Sequence, residues 1–103
     1  MHVQINPAEG LKVTPALKEH LHASLSRVER RFGDRITRVE AHFKDVNGPK
    51  GGVNKECMLE ARVRGLDPLV AKAVHEGAYD AVKETAGKLE KVLEHRLGKL
   101  AQG

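Results

Sequence analysis

The fold turns on residues 69–100, where the chain changes its period: LVAKAVH over 69–75, then EGAYDAVKETAGKLEKVLEHRLGKL over 76–100. In the first part Leu69, Ala71 and Ala73 alternate with Val70, Lys72 and Val74, which places them on opposite faces of a strand. In the second, Ala78, Val82, Ala86, Leu89, Leu93, Leu97 and Leu100 recur every three or four positions. That spacing predicts one long helix, from about Glu76 to Leu100, with a single apolar stripe. A strand that runs into such a helix needs partners to complete a sheet for the stripe to cover.

The rest of the chain supplies them. Cys57, Leu59, Ala61 and Val63 alternate with Met58, Glu60, Arg62 and Arg64. Val39, Ala41 and Phe43 alternate with Arg38, Glu40 and His42, and Val3 and Ile5 with His2, Gln4 and Asn6. Each alternation predicts a strand with one apolar face. A second helical period, Leu17, Leu21, Leu25, Val28 and Phe32, follows Thr14-Pro15 and stops at Gly33. A capping hydroxyl followed by a proline at the first helical position predicts a helix over 14–32. Pro7 to Gly10 and Gly65 to Pro68 read as turns, and residues 45–52 as a mobile, glycine-rich hairpin loop. The predicted order is βαβββα, an α+β domain. Strands with one apolar face need cover on that face alone, so both helices pack on one side of an antiparallel-rich four-stranded sheet.

Residues 1–103 are expected to form a single domain, with no internal repeat, low-complexity tract or linker. Aromatic residues make up only 3% of the chain, so aliphatic side chains must build the core. Cys57 is the only cysteine; no intrachain disulfide can form, which suits a reducing compartment. The N-terminus lacks the features of a secretory signal and no run approaches a membrane span. The expected location is cytoplasmic, with no membrane partner.

The net charge of +4 biases the chain toward polyanions. Residues 12–38 hold seven basic side chains against three acidic ones, whereas residues 67–100 hold six of each. The neutral sum of the second segment hides a sorting. At about 100° per residue, Lys88, Lys91, His95 and Lys99 fall along one flank of the apolar stripe, and Glu90, Glu94 and Lys83 along the other. In the first helix His20, Arg27, Arg30 and Arg31 gather on one flank. Taken alone, this sorting serves a solvated face with i,i+4 pairs such as Glu84–Lys88 as well as it serves phosphate contact. If the partner is a nucleic acid, the scarcity of aromatics favours A-form RNA, recognised by shape and backbone, over stacked single-stranded bases.

Nothing in the chain points to catalysis. Of the six histidines, His20 and His22 diverge on a helix, and His2, His42, His75 and His95 lie on separate elements, without metal-ligand spacing. Cys57 lies in the apolar phase of its strand, as a buried inert thiol would. Gly48 to Gly52 lacks the Gly-Lys-Ser/Thr ending of a phosphate loop. The expectation is no enzyme activity, no cofactor, no metal and no small-molecule substrate.

The stretch from His75 to Val82 (HEGAYDAV), with Lys88-Leu89-Glu90-Lys91-Val92-Leu93 after it, resembles the last helix of the ribosome hibernation-promoting factor and ribosome-associated inhibitor (protein Y, sigma-54 modulation protein) family. Leu25 to Phe32 (LSRVERRF) looks like the end of that family's first helix, and Ala71-Lys72-Ala73 like its fourth strand. The βαβββα order agrees, so the resemblance spans nearly the whole chain. It implies a fold akin to double-stranded-RNA-binding domains and a non-enzymatic factor that binds small-subunit ribosomal RNA in the mRNA and tRNA channel. There it would silence translation by occlusion during stationary phase or stress. By position it implicates Arg27, Arg30, Arg31, Lys88, Lys91, Arg96 and Lys99 in RNA binding. The chain departs from the family at Ser24 and Lys91, where Lys and Arg are usual, at Gly98, and in the length of its 45–54 loop. It would be a short form, without the second domain by which long members pair ribosomes. A protein–protein regulatory module and a general double-stranded RNA binder are the other readings of the same fold.

Overall fold

A computed structural model describes residues 1–6, 12–48 and 51–102, with side chains through Gly98. The elements are β1 (His2–Asn6), α1 (Pro15–Ser24), α2 (Ser26–Phe32), β2 (Ile36–Asn47), β3 (Val53–Val63), β4 (Leu69–His75) and α3 (Ala78–Gln102). The four strands lie in the order β1-β2-β3-β4. β1 runs parallel to β2, and the other two pairings are antiparallel. The α+β architecture is the one read from the periods, with two differences in its details. The turn expected at Pro7 to Gly10 lies outside the described residues.

The first difference is that residues 14–32 form two helices and not one. Leu25, at φ −90° and ψ 1°, interrupts them, yet its amide still bonds Leu21 and its carbonyl accepts from Glu29. The ladder and apolar period pass through the joint unbroken, which is why the spacing hid it. The start is as expected: Thr14 Oγ1 accepts from the Leu17 amide at 3.2 Å, with Pro15 beginning the helix.

The second difference is in the hairpin. Asp45, Val46 and Asn47 pair with Lys55, Asn54 and Val53, so the ladder continues into the segment read as loop. Lys55 Nζ meets Asp45 Oδ1 at 2.6 Å. No apolar alternation marks these positions, because they lie beyond the core cluster. The chain reverses between Gly48 and Gly52, where the Gly48 amide bonds the Gly52 carbonyl at 2.9 Å. Gly51 and Gly52 both take φ +82°, a region closed to most side chains.

One face of the sheet carries the core. Val39, Ala41, Phe43, Cys57, Leu59, Ala61, Val63 and Ala71 meet Leu17, Leu21, Leu25 and Val28 from α1–α2, together with Val82, Ala86, Leu89, Leu93 and Leu97 from α3. Burial raises the Cys57 thiol to a pKa of about 11, as suits an inert packing group. The one buried hydroxyl among the described residues is satisfied: Thr85 donates to the Ala81 carbonyl at 2.6 Å, with the Cys57 carbonyl 3.2 Å away. No described helix is long and apolar enough to cross a membrane.

The other face is open and polar. Glu40 stands directly opposite Glu60, an unfavourable pairing that the guanidinium groups offset. Arg38 and Arg62 reach Glu40 at 3.1 and 2.9 Å, and Arg62 reaches Glu60 at 3.2 Å. Farther along, Glu56 lies between Lys44 at 3.3 Å and Lys72 at 3.8 Å.

Candidate nucleic-acid interface

The charge sorting along α3 acquires a direction once its neighbours are known. Its acidic flank faces α2. Glu90 Oε2 accepts from Arg27 Nε at 3.2 Å and from Arg31 Nη1 at 2.8 Å, and Glu94 lies 3.7 Å from Arg31. The Arg31 hydrogen bond does most to hold the Glu90 carboxyl below its ordinary range, against partial burial that pushes it up, with Arg27 adding to the effect. The same contact raises Arg31. Arg31 also packs over the Phe32 ring, 4.8 Å from its centroid. Arg27 and Arg31 are therefore a seam between two helices as well as a basic surface.

The basic flank faces β4. Lys88 Nζ donates to the Lys72 carbonyl at 3.3 Å and lies 3.5 Å from Glu84. Glu84 also meets His75 Nε2 at 3.3 Å. The contact with His75, followed by Lys88, keeps the Glu84 carboxyl low in spite of some desolvation. Lys91, His95 and Arg96 are exposed, and no ion pair to any of them occurs among the described residues. Arg30 is likewise exposed. The side chain of Lys99 lies outside the described residues.

The seven positions expected to bind RNA thus do not form one even stripe. Arg27 and Arg31 sit on the α2 side of α3 and Lys88 on its β4 side. Lys91 lies on the ridge between them, opposite the Leu89–Leu93 stripe on the helical wheel. The helical wheel could assign flanks but could not say which flank meets a neighbour.

Two features were not singled out from the sequence as parts of a site. His20 Nε2 donates to the Tyr79 carbonyl at 2.8 Å, and the two rings lie 4.9 Å apart, tilted by 52°. Tyr79 remains 46% exposed, an accessible aromatic edge at the junction of α1 and α3. Exposed aromatics are few enough here that this pair could be found only by joining the two helices in space. The second feature is Lys83, which borders hollows on both sides of α3.

A metal-like grouping lies on the open face of the sheet, where Glu40, His42 and Glu60 each bring one donor atom within 4.8 Å of the others. Strand pairing creates it from residues that looked separate in the sequence. Burial raises the Glu40 carboxyl, but the Asn6 hydrogen bond at 3.3 Å and the charges of Arg38 and Arg62 outweigh it and leave it lowered. A cation would have to compete with two guanidinium groups already in place, so this cluster reads as an ion-pair lattice.

Comparisons with known proteins agree with the fold. A ribosomal subunit interface protein from Coxiella burnetii superposes with a TM-score of 0.79 at 24% identity, covering 95% of this chain and 99% of that one. The Thermus thermophilus Protein Y N-terminal domain superposes with a TM-score of 0.72 at 15% identity, over 92% and 98% of the two chains. In sequence, the ribosome hibernation promotion factor of Bacillus subtilis (strain 168) is 31% identical over 85 residues, 81% of this chain but 42% of that protein. The chain therefore spans less than half the length of this curated relative. The family model described as sigma 54 modulation protein / S30EA ribosomal protein matches residues 5–101. The chain belongs to the sigma 54 modulation protein / S30EA ribosomal protein family.

Proposed function

We propose that residues 1–103 act as a single cytoplasmic ribosome-binding domain that lays α3 against small-subunit ribosomal RNA in the mRNA and tRNA channel. It inhibits translation there by occupying space and performs no chemistry. The observation that carries this reading is the sorting of α3: its carboxylates Glu90 and Glu94 are drawn toward α2 by Arg27 and Arg31, which leaves Lys88, Lys91 and Arg96 on the remaining surface. Each phosphate neutralised there releases counterions, so affinity falls steeply with salt. Family membership and the name of the Bacillus subtilis relative support the ribosome as partner. Arg30, exposed on α2, and Lys99, near the end of α3, are included in the proposal as further basic residues.

The test is sedimentation with purified small subunits through sucrose gradients at low and high salt. The protein should travel with the subunits at low salt and remain at the top at high salt. Lys88, Lys91 and Lys99 changed together to Glu should stay at the top throughout while the domain remains folded. A wild-type protein that never comigrates refutes the proposal, and a triple variant that binds normally removes α3 from it. A protein–protein role has one observation in its favour, the exposure of Val70 and Val74 on edge strand β4. That role predicts ribosome-free protein at every salt concentration.

A further inference from the structure

Gly87 lies in the interior of α3, at an exposed position. In an exposed helix interior glycine is disfavoured roughly five-fold relative to alanine, because it has more backbone freedom to lose. Nothing within the fold requires it. A Cβ built at Gly87 meets no atom within 4 Å, and Gly87 is not among the glycines with positive φ. Gly33 is the contrast, since a Cβ there would collide with the Glu29 carbonyl oxygen.

The surroundings of Gly87 suggest what the missing side chain leaves room for. Two hollows, about 570 and 400 Å³ in volume, flank α3, one toward β4 and the other toward α1, and both are bordered by Gly87 and Lys83. Without a side chain at 87 the ridge of α3 between them is low. Lys83 and Lys91 stand one turn to either side, about 12 Å apart along the axis. No carboxylate partner of either occurs among the described residues. Lys88 and His75 line the hollow toward β4, and Arg27 and His20 the hollow toward α1. Of the nearby carboxylates, Glu84 is engaged by His75 and Lys88, and Glu90 by Arg27 and Arg31. Asp80, at the β4 side, is the remaining one.

We infer that the bare backbone at Gly87 is the crossing point of a single sugar-phosphate strand of RNA over α3, with Lys83 and Lys91 on its phosphates. Two hollows that meet at Gly87, with Lys83, Lys88 and Lys91 on one and Arg27 and Lys83 on the other, suit a continuous anionic chain better than a compact anion. This rests on the reading of α3 as an RNA-contacting helix, and it adds the point of closest approach.

The experiment measures thermal unfolding and equilibrium binding to purified small subunits for wild type, Gly87→Ala and Gly87→Leu. Gly87→Ala should unfold at a higher temperature yet bind several-fold more weakly. Gly87→Leu should keep its fold and lose at least ten-fold in affinity. Variants that bind like wild type overturn the inference and leave the ribosomal role standing, whereas a wild type that does not bind overturns both. Competitors identify the strand. Displacement of wild type by a short double-helical RNA and not by polyglutamate supports the assignment, and equal displacement by polyglutamate overturns it.

Discussion

Replacing Glu90 by Gln separates the two roles of Arg27 and Arg31. The substitution keeps the shape of the side chain but removes the charge on which both guanidinium groups converge, at 3.2 and 2.8 Å. If these arginines also face RNA, the variant binds with one to two additional phosphate contacts. Taking the duplex coefficient, each contact steepens the dependence of log affinity on log salt by about 0.9, so the slope becomes more negative by about 0.9 to 1.8. Between 50 and 200 mM salt, a four-fold range, the variant should lose about 3.5- to 12-fold more affinity than wild type does. At the low-salt end it should bind more tightly than wild type. Its unfolding temperature should fall, because α2 and α3 lose their shared ion pair. The assay is filter binding to small subunits across that salt range, alongside thermal unfolding by circular dichroism. An unchanged slope with a lower unfolding temperature would show that Arg27 and Arg31 serve only to join the helices, and would remove them from the interface.

Two other outcomes follow from the core and the carboxylates. Leu93, fully buried on the inner face of α3, should cost about 2–5 kcal/mol when changed to Ala, read as a lower midpoint in urea unfolding with little change in slope. Glu40, Glu84 and Glu90 all have lowered folded-state pKa values. Their contribution is therefore fully present above the unfolded carboxyl value of about 4.3 and is lost as pH falls through the lower folded values. Unfolding temperature followed from pH 7 to 3 should be level at first, then drop in the acid range, and Glu90→Gln should drop less. A stability that rises on acidification would contradict the ion-pair assignments.

The sheet and its cover were legible because burial imposes a period. Val39, Ala41 and Phe43, or Leu89, Leu93 and Leu97, could not lie elsewhere without exposing an apolar face. The ends of β2 and β3 escaped notice because Asp45 and Lys55 hold the ladder by an ion pair and a backbone register, neither of which leaves an apolar signature. The break at Leu25 was hidden because it preserves both the spacing and the hydrogen bonds. The candidate site was half legible. Periodicity assigned Lys88 and Glu90 to opposite flanks of α3, but the partners of those flanks, β4 and α2, are set by tertiary packing. Likewise Glu40, His42 and Glu60 come together through strand register alone. Gly87 leaves no mark in the apolar period, and only the packing shows the space beside it to be empty.

The central claim is occlusion, and competition tests it most directly. Labelled protein bound to small subunits should be displaced as mRNA and tRNA are added, and preloading the protein should exclude both to the same degree. Simultaneous, undiminished binding of the protein and a tRNA–mRNA complex to one small subunit would contradict the account.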